Sequence, residues 1–239
     1  MLNFIGTGSA FNTSLGNNGA FIKHNTTLFM IDCGSNTFDR LIKNNVLDGI
    51  EDIVVLLTHT HPDHVGSLGD LIFYSYYSMG EIMKPKLTVL APSELKILTL
   101  MKLNGVGSET FHYKKLEQKE YLHGHLDFFI QVTPVPVTHV KELDAFGYVI
   151  AYKSDVIYYS GDANEIPADI LNELHSGRFS HFYQDTCGAD YEGNVHLSLR
   201  KLDELVKPDV RRFVHCMHLD KGFDVEEAEE LGFKVVSAI

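Results

Sequence analysis

Within the 239-residue chain, His59-Thr60-His61-Pro62-Asp63-His64 gathers four side chains of metal-ligand type into six positions. Alternate residues of an extended chain share a face, so His59 and His61 can reach one cation together. Pro62 ends the regular strand and lets Asp63 and His64 turn the other way, which allows one segment to serve two neighbouring sites. Imidazole nitrogen and carboxylate oxygen suit zinc, and manganese or iron are compatible with the same donors. A histidine-rich surface loop is the bland alternative, and the residue types and their order weigh against it.

The apolar run Ile53-Val54-Val55-Leu56-Leu57 before the motif reads as a buried strand opening into the loop that carries it. Other chemistry-bearing residues stand at similar places. A hairpin over 20–24 and 27–31 delivers Asp32. The extended run 128–137, broken by Pro134 and Pro136, fits an edge or irregular strand, with His139 just beyond. A second hairpin, 146–152 with 156–160, closes on Gly161-Asp162. A strand at 179–183 delivers Gln184-Asp185, and one at 212–216 delivers His215-Cys216-Met217-His218. Helices are expected at 37–43, 68–83, from Ser93 as cap to Asn104-Gly105, 167–176, 198–206, and from Asp224 to Gly232. Helix 68–83 is apolar or aromatic on more than one face, so it is either fully internal or covered by a partner subunit or the substrate mouth. The glycine turn Gly6-Thr7-Gly8-Ser9 is a weak phosphate cradle, because no convincing helix follows it. His123-Gly124-His125 imitates a ligand pair, but the glycine favours a loop tip.

Hydrophobic residues make up 44% and charged residues 22%, which excludes disordered and fibrous classes. No linker or low-complexity segment interrupts the chain, so residues 1–239 are expected to form a single layered αβ domain. Twenty basic against 32 acidic residues give a net charge of −12, which disfavours a long nucleic acid as ligand. A small phosphate ligand needs only the metal centre. Cys33, Cys187 and Cys216 are too few and too scattered for a disulfide framework. With no leader-like start and no membrane-spanning run, a cytoplasmic protein is expected, in the host bacterium if phage-encoded.

Asp32, the His59–His64 motif, His139, Asp162 and His218 together resemble, in order, the five motifs of the metallo-β-lactamase superfamily. The resemblance implies an α+β fold, the four-layer αββα sandwich, with two metals at one edge of the sheets. Ile5-Gly6-Thr7-Gly8-Ser9-Ala10 is similar to the opening of the ribonuclease Z-like branch. The short chain without an inserted arm is similar to the phage anti-Pycsar cyclic-nucleotide phosphodiesterases. By that resemblance His59, His61 and His139 bind one Zn²⁺ and Asp63, His64 and His218 the other, with Asp162 bridging them; Mn²⁺ is an alternative metal. His218 is favoured over His215, since a ligand should lie past the strand rather than inside it. Asp32 is expected to orient the motif. Asp185 and His196 stand where the ribonuclease branch keeps its proton-donating pair, and with Asp63 they complete the implied catalytic set. A structural aspartate and a surface histidine are the alternative.

The implied activity is hydrolysis of 3′,5′-cyclic mononucleotides to nucleoside monophosphates, by a homodimer with helix 68–83 near its interface, in phage evasion of Pycsar immunity. The rivals are a tRNA 3′-processing endoribonuclease, which needs a basic surface or arm, and another hydrolase of the superfamily such as a thioesterase or β-lactamase. A nucleotide sponge without catalysis is the non-enzymatic reading.

Overall fold

Short apolar stretches with a period of two produce a pair of packed sheets. The computed structural model describes residues 1–117, 120–123 and 129–239, the strand at 120–123 by its backbone alone. Strands β1 (Asn3–Gly6), β2 (Gly19–His24), β3 (Thr27–Ile31), β4 (Asp52–Leu56), β5 (Leu87–Ala91) and β6 (His112–Lys115) form one sheet in chain order. The second sheet holds β7 (Glu120–His123), β8 (Phe129–Val137), β9 (Ala145–Tyr152), β10 (Asp155–Tyr159), β11 (His181–Asp185), β12 (Val214–Met217) and β13 (Lys234–Val235). Each sheet begins with antiparallel neighbours and continues with parallel ones from β3 and from β10. Parallel neighbours need crossovers. Helices α1 (Thr37–Lys43), α2 (Pro62–Val65), α3 (Leu68–Tyr77) and α4 (Ile97–Leu103) lie along those of the first sheet; α5 (Ala168–His175), α6 (Leu199–Leu205) and α7 (Val225–Glu230) follow in the second.

Alternation along each strand sorts side chains into three cores. Leu28 and Met30 of β3 pack with Leu41 of α1 and Leu71 of α3. Phe29 and Ile31, one residue out of phase, meet Tyr148 and Ile150 of β9 between the sheets. Tyr158 and Phe182 face Ile170 of α5 and Leu202 of α6 on the far side. Helix, sheet, sheet and helix are thus stacked as the expected four-layer αββα sandwich. Strands covered on both faces lose the apolar–polar alternation of a half-exposed sheet, which is why the runs before Asp32 and His59 read as continuously hydrophobic.

Four expectations need adjustment. Helix 68–83 stops at Tyr77, and Gly80 and Met83 beyond it take left-handed φ of 49° and 59°, incompatible with continued helix. Ser93 opens a short 3₁₀ turn rather than capping a helix, and Lys96, at φ 49°, separates that turn from α4. The prolines of β8 lie where the strand pairs with β9 alone; β7 reaches only Phe129–Val132, so the missing N–H groups cost no ladder bond on that side. A Cβ on Gly6 or Gly8 would collide with the carbonyl oxygen of Asn17 or Asn12, so close loop packing accounts for these glycines without a phosphate. Gly124 and His125 lie outside the described residues. Among the described residues no helix is long and apolar enough to cross a membrane.

Candidate metal centre

The cores end where the chemistry begins. Strand β4 stops at Leu56, and His59 and His61 follow in extended chain, His61 with φ −64° and ψ 150°. Their shared face thus comes from an extended loop rather than from the strand itself. Pro62 starts the single turn of α2, which carries Asp63 and His64 inward. His139 follows β8, Asp162 follows β10, Asp185 ends β11 and His218 follows β12.

Besides a group of Asp162, Asp185, His196 and His218, these residues converge in the two expected ligand sets, His59–His61–His139–Asp162 and Asp63–His64–Asp162–His218, with the ligand-type atoms of each within 4.8 Å of one another. Asp162 belongs to both. Its Oδ2 lies 3.7 Å from His59 Nε2, 3.8 Å from His139 Nε2 and 3.4 Å from His218 Nε2, and its Oδ1 lies 3.2 Å from His64 Nε2. Asp63 Oδ2 stands 3.3 Å from His218 Nε2 and 3.4 Å from His64 Nε2.

Outer hydrogen bonds decide which ring nitrogen each histidine turns inward. Thr58 donates its N–H and Oγ–H to the Asp32 carboxylate at 2.8 and 2.7 Å, so the Thr58 oxygen accepts from His59 Nδ1 at 3.1 Å. His139 Nδ1 donates to the Val195 carbonyl at 3.0 Å, and His64 Nδ1 to Asp32 Oδ2 at 2.8 Å. Three histidines therefore present bare Nε2 atoms to the centre. His61 presents Nδ1, 3.1 Å from His59 Nε2 and 3.2 Å from His139 Nε2. Ligand bonds of about 2.0–2.1 Å in a tetrahedral site put ligand atoms about 3.3 Å apart, so this crowd of acceptors has the spacing of a cation's ligand shell. Buried polar atoms are ordinarily paired, yet the close contacts of His64 Nε2 with Asp162 Oδ1 at 3.2 Å and of His218 Nδ1 with Asp185 Oδ1 at 3.3 Å lack hydrogen-bond geometry. Donor types, spacing and orphaned atoms all fit divalent metal.

Electrostatics point the same way. Burial would lower the His218 imidazole, but Asp162, Asp185 and Asp63 outweigh it and push it up to about 10. Burial is likewise overcome at His64, where Asp162 and Asp32 hold the pKa well above the usual histidine value. Burial would raise Asp63, yet hydrogen bonds from His218 and His64 hold it far below the carboxylate range. The carboxylates thus draw positive charge into the centre, and a cation entering it would displace protons.

Asp185 ties the centre to its surroundings. Its Oδ2 accepts from His196 Nδ1 at 2.7 Å and from the N–H of Ala163, next to Asp162, at 3.0 Å; its Oδ1 faces His218 Nδ1 at 3.3 Å. Burial would lower His196, but Asp185 outweighs it and raises it. The pair expected from sequence is therefore in contact beside the candidate metal ligands. His215 is not: it lies inside β12, 3.1 Å from His181 and stacked on Tyr183, away from both clusters.

Sequence reasoning missed the residues that hold awkward backbone in place. Asp32 and His218 adopt left-handed φ of 64° and 58°, which non-glycine residues seldom take. Asn18 accepts the His218 N–H at 3.3 Å and donates to Tyr159 Oη at 2.8 Å, fixing the strand exit. The only signal for Asn18 in the sequence is a polar residue before an apolar strand, too common to single out. Phe11, Asn17 and Asn36 were also missed. They line the cavity of about 480 Å³ that opens over Asp63, Asp162 and His196.

Among solved structures, the metallo-β-lactamase fold protein YhfI of Bacillus subtilis matches 99% of this chain and 95% of its own, with a TM-score of 0.75 and 16% identity. The fold is that of the metallo-β-lactamase superfamily. Within it the chain belongs to the anti-Pycsar protein Apyc1 family, whose profile matches residues 1–237. The Apyc1 protein of Bacillus phage 010DV004 is 26% identical over 235 residues, covering 91% of this chain and 88% of the relative. That of Paenibacillus xerothermodurans is 27% identical over 226 residues, covering 92% and 87%.

Proposed function

We propose that this protein is a metal-dependent phosphodiesterase that hydrolyses 3′,5′-cyclic mononucleotides to nucleoside monophosphates, and that it serves the anti-Pycsar role named in its relatives. The observation that carries this reading is one carboxylate, Asp162, shared by two ligand clusters at a cavity of about 480 Å³. Small-molecule sites span about 300–1,000 Å³, so the volume suits a mononucleotide.

His59, His61, His139 and Asp162 would hold one divalent ion, and Asp63, His64, His218 and Asp162 a second, zinc with manganese as the alternative. Such ions supply Lewis acidity toward phosphate oxygens and lower the pKa of a water between them. The chain contributes the proton. His196 Nδ1 is engaged by Asp185, and the raised pKa of the imidazole keeps it protonated to higher pH. As water adds to phosphorus, giving up a proton to solvent, the bond from phosphorus to the ribose oxygen breaks and His196 would protonate the departing oxygen. Asp185 holds the ring in the orientation this requires.

A net charge of −12 favours a small anion drawn to a local cation centre over a precursor tRNA spread across the surface. Incubation of zinc-loaded protein with cyclic AMP, GMP, CMP and UMP, beside precursor tRNA, should convert the cyclic nucleotides to monophosphates and leave the tRNA intact. Cleavage of the tRNA alone would replace this reading with the ribonuclease one. We further propose that residues 1–239 act as one domain in a homodimer in a bacterial cytoplasm. Exposed Tyr77, Ile82 and Met83, at and beyond the end of α3, favour an interface there. Light scattering at the dimer mass is expected, and a monomer mass would end the idea.

A further inference from the structure

We propose that Phe11, Asn17 and Asn36 form the nucleobase subsite of this cavity, a proposal that rests on the cyclic-nucleotide reading above. The cavity over the metal centre is lined by Val140 and Val195 beside His139 and His196, and also by Phe11, Asn17 and Asn36. A base has apolar faces and a polar edge, and Phe11 with the two asparagines offers a partner for each.

The asparagine geometry is set by the backbone. Asn17 N–H donates to Asn36 Oδ1 at 2.9 Å, and Asn36 N–H donates to Asn17 Oδ1 at 3.1 Å. An N–H can donate only, so the atom it meets in each side chain must be the oxygen. This reciprocal lock leaves both Nδ2 groups as the outward donors. Neither has a partner among the described residues, although Asn17 is only 4% exposed and lines the cavity. A base edge carrying carbonyl or ring-nitrogen acceptors would give these donors a partner. Ser35, a neighbouring hydroxyl in the lining, is already donating to the Pro62 carbonyl at 2.9 Å.

Phe11 supplies the face. Its ring is 85% exposed at the cavity wall. Packing within the chain does not explain that position, whereas stacking on a planar base would cover the ring. None of these three residues belongs to the ligand clusters, so their effect should fall on substrate binding rather than on the hydrolytic step.

The test compares a cyclic nucleotide with the same ribose 3′,5′-cyclic phosphate lacking its base, using zinc-loaded protein. The unmodified protein should prefer the base-bearing substrate in kcat/KM. Phe11→Ala should shrink that preference between about fivefold and about a hundredfold, mostly through KM, and Phe11→Tyr should restore it. Asn36→Asp keeps the oxygen that accepts the Asn17 N–H but removes the donor, so it should also lower the ratio, even if its charge raises both KM values. An unmodified protein that hydrolyses both substrates equally would overturn the subsite and leave the phosphodiesterase reading standing. So would a Phe11→Ala variant with an unchanged ratio. Hydrolysis of neither substrate would overturn both proposals together.

Discussion

Strand β12 carries one histidine within it and another just beyond its end, and the two have opposite characters. His218 is surrounded by Asp63, Asp162 and Asp185, and its pKa is pushed up to about 10. Burial, with His181 and Lys234 as the next influences, lowers His215 to about 3. Both rings are buried, so burial alone does not separate them. The carboxylates do: a cluster of histidines attracts a cation where acids share its centre, and remains a neutral packing group where they are missing.

The sharpest way to break that contrast is to remove the shared acid. Asp162→Ala should cut hydrolysis by more than about a thousandfold, and elemental analysis should find neither metal retained. Loss of only one ion would mean that Asp162 does not bridge. Asp32→Ala is expected to loosen both halves of the centre, because its carboxylate orients His64 directly and His59 through Thr58. Affinity for both ions should fall roughly 10- to 100-fold, as for other residues that orient metal ligands. Competitive chelator titration would follow this.

Asp185→Asn should have a smaller effect. It keeps a side-chain oxygen but removes the charge that raises His196, so kcat should fall about tenfold or more. The pH at which activity declines on the alkaline side should also move down. An unchanged pH profile would argue that the pair is structural.

The smallest effect belongs to His215. The unfolded chain takes up a proton there near the ordinary value of 6.5, whereas the folded protein keeps it neutral down to about 3. Its contribution to stability is therefore present above pH 6.5 and is lost as pH falls from 6.5 toward 3. His215→Gln should flatten the decline of Tm across that window while leaving metal content unchanged. A steeper decline would contradict the assignment.

Much of this contrast was legible in the sequence because strand exits leave strong traces. Asp32, His59 and His218 each follow an apolar run, and in-layer burial makes those runs unmistakable. His215 was separable from His218 by the same logic, since one falls inside the run and one beyond it. The resemblance to a known superfamily, rather than spacing, grouped the ligands into two sets. What escaped lies in loops whose partners are distant in sequence. Asn18 meets Tyr159 and His218, and Asn17 meets Asn36, through backbone conformations that no local pattern announces. The sequence extends helix 68–83 too far because its apolar character continues past Tyr77, where left-handed residues prevent further helix.

The proposed centre holds two ions around one carboxylate, Asp162. Its most direct test is to strip the protein with chelator, add back zinc in measured equivalents, and follow hydrolysis of a cyclic mononucleotide at each step. Activity should be absent from the stripped protein, rise with added metal and level off at two equivalents per chain. Full hydrolysis without metal, or saturation at one equivalent, would contradict the account.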